Sequence, residues 1–220
     1  MESAEGRIKE IIAVLSEAYP SSRTALKHEN ALQILVATIL SAQCTDEKVN
    51  QITPSLFQKY PTPSDFASAD KDELETEIRP TGFFRNKAKS IINASKKIVE
   101  DFGGNVPDNM EDLISLPGVA RKTANIVLSS AFKKAEGIAV DTHVKRLSQR
   151  LGLSKEKDPD KIERDLMKIV PKEHWLDFNY MLVNHGRKIC PARKPLCPQC
   201  GLKYLCTSAK DFYSEAELNP

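Results

Sequence analysis

The sequence predicts an all-α fold, on three observations. Apolar residues recur at helical spacing along most of the chain. No long stretch alternates Val, Ile and Thr with the period of two that a half-buried strand needs. Glycine is scarce, at 9 of 220 residues. Hydrophobic residues at 40% and charged residues at 28% are ordinary for a globular protein, and the length allows one compact domain or two small ones around a real core.

Each element has its own reason. Residues 5–19 form an amphipathic helix that Pro20 stops. Residues 29–43 are apolar nearly all round, the pattern of a central buried helix. Residues 46–60 carry acids in their first turn, with Pro54 as a candidate kink. Asp70 with Glu73 opens a short helix that Pro80 and Gly82 close. Ala88, Ile91, Ile92, Ser95, Ile98, Val99 and Phe102 share one face of the next helix, ended by Gly103 and Gly104. Asp108 with Glu111 reads as a capping-box start for a helix through Ser115. A second helix follows Leu116-Pro117-Gly118-Val119-Ala120 and runs to about Phe132. Asp141 stands where it can cap a helix over 142–150, with Gly152 just past its end. Asp158-Pro159 starts a helix that ends before Pro171, and a last long helix covers 172–188.

The N-terminus has no basic-then-apolar signal pattern, and no apolar run reaches membrane-spanning length. These features predict a cytoplasmic protein with no membrane partner, in a compartment where thiols stay reduced. Net charge is only +2, but residues 187–210 hold Arg187, Lys188, Arg193, Lys194, Lys203 and Lys210 with no acid. Such a stretch suits a polyanion such as DNA, although a solvated basic loop has the same composition.

Cys190, Cys197, Cys200 and Cys206 follow C-x6-C-x2-C-x5-C within one loop rich in proline. A loop of this kind can wrap one site and present four thiolates inward, as an iron–sulfur cubane requires. The competing reading is a four-cysteine zinc site, but zinc ribbons bring two C-x-x-C pairs together and only one pair is present here. Cys44, far from the loop, reads as a small buried hydrophobe.

Pro117-Gly118 is a turn signature, since proline fixes φ at the first central position and glycine accepts φ > 0 at the second. Flanked by helices it makes a helix-hairpin-helix, whose backbone N–H groups around Gly118 and Ala120 can cradle a phosphate. An ordinary helix–helix turn is the plainer alternative. Lys122 lies two residues into the second helix. There the helix dipole and Arg121 both disfavour a positive charge, which favours a free amine able to form a Schiff base. A phosphate-contacting surface lysine is the plainer reading. Asp141 emerges from the apolar run Ile138-Ala139-Val140 and by itself reads as an N-cap.

The combination is more specific than its parts. Residues 116–125 (LPGVARKTAN), Ala139-Val140-Asp141-Thr142-His143 and the cysteine loop together resemble the endonuclease III family of helix-hairpin-helix DNA glycosylases. Leu40-Ser41-Ala42-Gln43-Cys44-Thr45-Asp46 resembles a further pattern of that family. The resemblance implies a two-lobed fold, with a six-helix domain over residues 22–136 and a cluster domain formed by 1–21 and 137–220. It implies a [4Fe–4S] cluster on the four cysteines, a monomer, and damaged double-stranded DNA as partner. The implied activity is a bifunctional DNA glycosylase and abasic-site lyase that removes oxidised pyrimidines by Schiff-base chemistry and β-elimination. Lys122 would be the nucleophile and Asp141 the carboxylate that stabilises the developing charge and helps to activate it. Gln43 and Phe83 fall where the family fills the gap left by the flipped base, although Phe83 could equally be a core residue. Arg193 and Lys194 would sit on phosphates. Two positions depart from the family pattern: Ala120 stands where glycine is usual, and Phe83 where a leucine-like wedge is common. Two alternatives stay open: the same chemistry on another lesion, such as pyrimidine dimers, and a non-catalytic metal-containing DNA-binding module.

Overall fold

The computed structural model describes residues 3–20 and 23–218. Among the described residues every regular element is helical. In chain order the α-helices are α1 (Ala4–Ala18), α2 (Ala31–Leu40), α3 (Asp46–Lys59), α4 (Pro63–Ala67), α5 (Lys71–Ile78), α6 (Phe84–Phe102), α7 (Met110–Ser115), α8 (Arg121–Val127), α9 (Thr142–Arg150), α10 (Pro159–Ile169), α11 (Phe178–Lys188) and α12 (Glu215–Leu218). The chain divides into two compact units, one of Thr24–Glu136 and one of Met1–Arg23 with Gly137–Pro220. The boundary drawn from sequence, between residues 21 and 22, lies outside the described residues.

The first unit, Thr24–Glu136, is built around α2. Asn30 caps it by accepting from the Gln33 N–H at 3.0 Å. Residues 34–40 are then buried without a break, because α3, α6 and α8 all pack on this helix. α2 stops at Leu40, three residues short of the expected end, where Ser41–Cys44 turns on a Cys44 N–H to Ser41 C=O bond of 3.1 Å. Cys44 itself is half-buried against this core. Asp70 caps α5 through the N–H groups of Asp72 and Glu73. Pro54 lies within α3 without ending it. α4 has no counterpart in the sequence reading: Thr62 and Asp65 form a capping box around Pro63, and Phe66 buries itself against Tyr60, with ring centroids 5.1 Å apart.

Two expectations here need correction. α7 is capped by Asn109, whose side chain accepts from the Asp112 N–H at 3.0 Å, not by Asp108. Asp108 is drawn instead to Lys134, 2.6 Å away. The helix after the hairpin is α-helical only to Val127 and continues as a π-helical turn, Leu128–Phe132. π-turns of this kind are frequent near functional sites.

The second unit has its own core, in which Ile8, Ile11, Ile12 and Leu15 of α1 meet residues of α9, α10 and α11. Buried Arg7 donates to the carbonyls of Leu151, at 2.9 Å, and Leu205, tying α1 to the end of α9 and to the cysteine loop. The last long helix is shorter than expected. Lys172–His174 is a separate 3-10 turn, and α11 begins only at Phe178. Trp175 occupies the break, donating its indole N–H to the Val170 carbonyl at 2.9 Å.

Candidate functional site

In the first unit the hairpin joins α7 to α8. Leu116 C=O accepts from the Val119 N–H at 3.1 Å, and Gly118 takes φ +81°, so Pro117-Gly118 is a tight turn with glycine in the left-handed position. A second constraint acts on the same residue: a Cβ on Gly118 would lie 2.6 Å from both Cβ and Oγ of Ser90 on α6. The turn therefore needs glycine for its φ and again for its close approach to α6. Ala120 is the N-cap of α8 at φ −93°, ψ 168°, with no side-chain cap bond. Its φ is negative, so a Cβ is accepted there, although the residue is extended rather than helical.

Lys122 is exposed on the first turn of α8. The rest of the helix is anchored, with Ala124, Asn125 and Val127 buried. Gln43 and Phe83 stand on two other turns of this unit, and both adopt φ > 0, at 53° and 48°. Both are exposed, Phe83 at 61%, which excludes the core reading of that phenylalanine.

In the second unit Asp141 caps α9, its Oδ1 accepting from the N–H groups of His143 and Val144 at 2.8 Å each. Ile138, Ala139 and Val140 ahead of it are buried, so the half-buried carboxylate leaves the core at a fixed point. Oδ2 takes part in neither cap bond.

The four cysteines of the loop line one pocket, with Leu147, Leu151, Ile189 and Pro195 among its walls. Burial raises the Cys200 thiol to about 11, with a further push from the other three cysteines. It also raises Cys197 and Cys206, and again neighbouring cysteines add to the shift. Four apolar-walled sulfurs that repel one another as thiolates are a donor set that a cationic metal group would stabilise. The residues present thus fit an iron–sulfur cluster.

Sequence reasoning missed the polar groups around this pocket. Arg150 donates to Cys190 Sγ at 3.1 Å and to the carbonyls of Pro191 and Ala192, while its guanidinium lies 4.7 Å from the Phe212 ring. Arg146 donates to the Cys190 carbonyl at 3.0 Å. The four-residue spacing of the two arginines on α9 was the available signal. Buried His185 lies 3.4 Å from Cys200 Sγ and 3.2 Å from the Tyr19 hydroxyl, and burial lowers its pKa to about 4. Of the basic stretch, Arg187, Lys188, Arg193 and Lys194 are exposed. Lys203 and Lys210 turn instead to the C-terminal segment, through the Leu218 carbonyl and Glu215.

A helical frame with a helix-hairpin-helix and a four-cysteine loop defines a class of DNA repair protein, and residues 36–172 match the model of the HhH-GPD superfamily base excision DNA repair proteins. The chain is 56% identical to endonuclease III of Synechocystis sp. over 210 residues, 96% of each chain. It is 46% identical to endonuclease III of Bacillus subtilis, over 87% of this chain and 88% of that one. Two solved structures each superpose with a TM-score of 0.90 at 40% identity over 96% of this chain. One is a non-covalent endonuclease III–DNA complex and covers to 98% of its chain; the other is a trapped endonuclease III–DNA covalent intermediate, covered to 99%. The chain belongs to the endonuclease III family of the HhH-GPD superfamily. It is a DNA glycosylase and abasic-site lyase of base excision repair. Members of the family typically carry a [4Fe–4S] cluster. Among the described residues no helix is long and apolar enough to cross a membrane.

Proposed function

We propose that this bifunctional glycosylase and lyase, which removes oxidised pyrimidines, performs both reactions with Lys122 as nucleophile and Asp141 as its electrostatic partner. One observation carries the assignment: Lys122 is exposed on the first turn of a helix that follows a hairpin in which only glycine fits at Gly118. The damaged nucleotide is flipped out of the duplex. Lys122 Nζ, as the free amine, attacks C1′; the bond from C1′ to the base breaks, and the base departs with the electron pair and takes up a proton. Asp141 stabilises the positive charge that develops on the sugar. Loss of the remaining amine proton and opening of the sugar ring give the imine. Removal of a C2′ proton then breaks the C3′–O bond and cuts the strand 3′ to the lesion. Water hydrolyses the imine and frees Lys122.

The other residues bind and shape the DNA. N–H groups at Gly118 and Ala120 receive a phosphate of damaged duplex DNA, as do Arg193 and Lys194. Gln43 and Phe83 enter the gap left by the flipped base, Phe83 as an apolar wedge. Cys190, Cys197, Cys200 and Cys206 hold a [4Fe–4S] cluster. When bound, the cluster supplies four iron–thiolate bonds that fold the loop carrying Arg193 and Lys194. The protein acts as a monomer on DNA in the cytoplasm, nucleoid-associated in a prokaryote.

Single-turnover assays on duplexes bearing one ring-saturated thymine, one cyclobutane dimer or no lesion test this reading. Excision followed by a strand break ending in a 3′ unsaturated aldehyde is expected on the first duplex. Faster turnover of the dimer would assign the chemistry to the other lesion class.

A further inference from the structure

A charged side chain inside the first unit has no part in the chemistry above. Lys87, on the first turn of α6, is only 5% exposed. Lysine is almost never that buried unless its ammonium is partnered. Its partners here are two backbone carbonyls, Leu40 and Thr81, each accepting from Nζ at 2.8 Å. Leu40 is the last residue of α2, where helix carbonyls lack intrahelical donors and the dipole favours a cation. Thr81 ends the 3-10 turn Arg79–Thr81 that leads into α6. Burial lowers the pKa of Lys87, with Cys44 opposing the shift.

The two carbonyls lie just upstream of Gln43 and Phe83, at the end of α2 and at the end of the 3-10 turn. Gln43 is the third residue of the Ser41–Cys44 turn, and Phe83 follows Gly82, itself at φ +71°. Non-glycine residues with φ > 0 cost free energy and persist where surrounding contacts over-determine the backbone. Two such residues, both exposed, flank one buried ammonium that bonds to the chain just before each of them.

We propose that Lys87 is a positioning residue that locks the Gln43 and Phe83 turns to one another, so that both side chains are preset to enter the gap left by the flipped base. The inference rests on the reading that Gln43 and Phe83 enter that gap. A wedge that had to order itself during flipping would lose part of the binding energy to conformational entropy. A single buried cross-tie between the two turns removes that loss.

The test is a set of double-mutant cycles in the intact protein, read by single-turnover excision from a lesion-bearing duplex. Lys87→Met keeps the aliphatic stem and removes the donors. It is expected to slow excision about tenfold, within the range set by the roughly 100-fold cost of misplacing reacting groups by ~1 Å. Cleavage of a preformed abasic site, which has no base to extrude, should stay within about threefold of the parent. Affinity for undamaged duplex should not change. Gln43→Ala and Phe83→Ala should each slow excision alone, and adding Lys87→Met to either should slow it little further. Multiplicative losses in both cycles, or parent-like excision by Lys87→Met, would overturn the proposal. Parent-like excision by both alanine variants would instead overturn the reading of Gln43 and Phe83 on which it rests. If Lys87→Met does not fold by thermal melting, Lys87→Leu, which likewise lacks a donor, replaces it, with the same coupling expected and the same results contradicting it.

Discussion

At the scale of single residues the site depends on backbone geometry as much as on functional groups. Gly118→Ala would force φ +81° on a residue with a Cβ and press that Cβ against Ser90. The left-handed conformation alone costs about 1–2 kcal/mol, so urea unfolding should show a loss of at least that size; an unchanged midpoint would mean that the hairpin relaxes freely. Substitution can separate the cap formed by Asp141 from the role proposed for it in turnover. Asparagine keeps an acceptor for the His143 and Val144 N–H groups, so Asp141→Asn should keep its stability while turnover collapses. Asp141→Ala should lose turnover and also about 1 kcal/mol of stability. Equal stability losses in both variants would contradict the cap. This residue was legible in the sequence, because a carboxylate after Ile138-Ala139-Val140 and before a helical period has few other places to go. Asp108 was misread because Asn109, one position later, has the same capping chemistry and Lys134 competes for the aspartate. Lys87 was invisible: its period places it on the buried face of α6, and only the fold brings Leu40 and Thr81 to it.

At the scale of elements, long amphipathic or wholly apolar helices were legible and their ends were less so. α2 ends early because Ser41–Cys44 satisfies its own turn, and hydropathy does not register that change. The expected helix over 172–188 breaks where Trp175 bonds back to the Val170 carbonyl, a local side-chain contact that leaves no mark on the periodicity. α4 is five residues long, too short for a periodic signal, although Thr62-Pro63 and Asp65 were present as capping chemistry. The cysteine loop divides the basic stretch into two kinds of residue. Arg193 and Lys194 are exposed, whereas half-buried Lys203 and exposed Lys210 pair with the C-terminal segment. Neutralising Arg193 or Lys194 should each lower the slope of log affinity against log salt by about 0.9, the value for one phosphate contact on duplex DNA. Neutralising Lys210 should leave the slope unchanged. The reverse pattern, read by fluorescence anisotropy across a salt series, would move the DNA-binding face off this loop.

At the scale of the whole molecule, the two units have cores of separate composition. The cysteine loop closes the second unit. Cys197 joins Ala209 and Leu218 in a small cluster of its own, so Cys197→Ser should loosen the C-terminal segment to hydrogen exchange before α2 or α6 is affected. The purified protein should contain iron and acid-labile sulfide in near-equal amounts; stoichiometric zinc without sulfide would contradict the cluster. Lys122 belongs to one unit and Asp141 to the other. The most direct test is borohydride reduction during turnover on a lesion-bearing duplex, because an imine is reducible to a stable covalent adduct and an ionic contact is not. The parent protein should be trapped on DNA through Lys122, and Lys122→Gln should bind the same duplex yet give neither adduct nor strand break. An adduct that survives in Lys122→Gln would place the nucleophile on another amine and contradict the account.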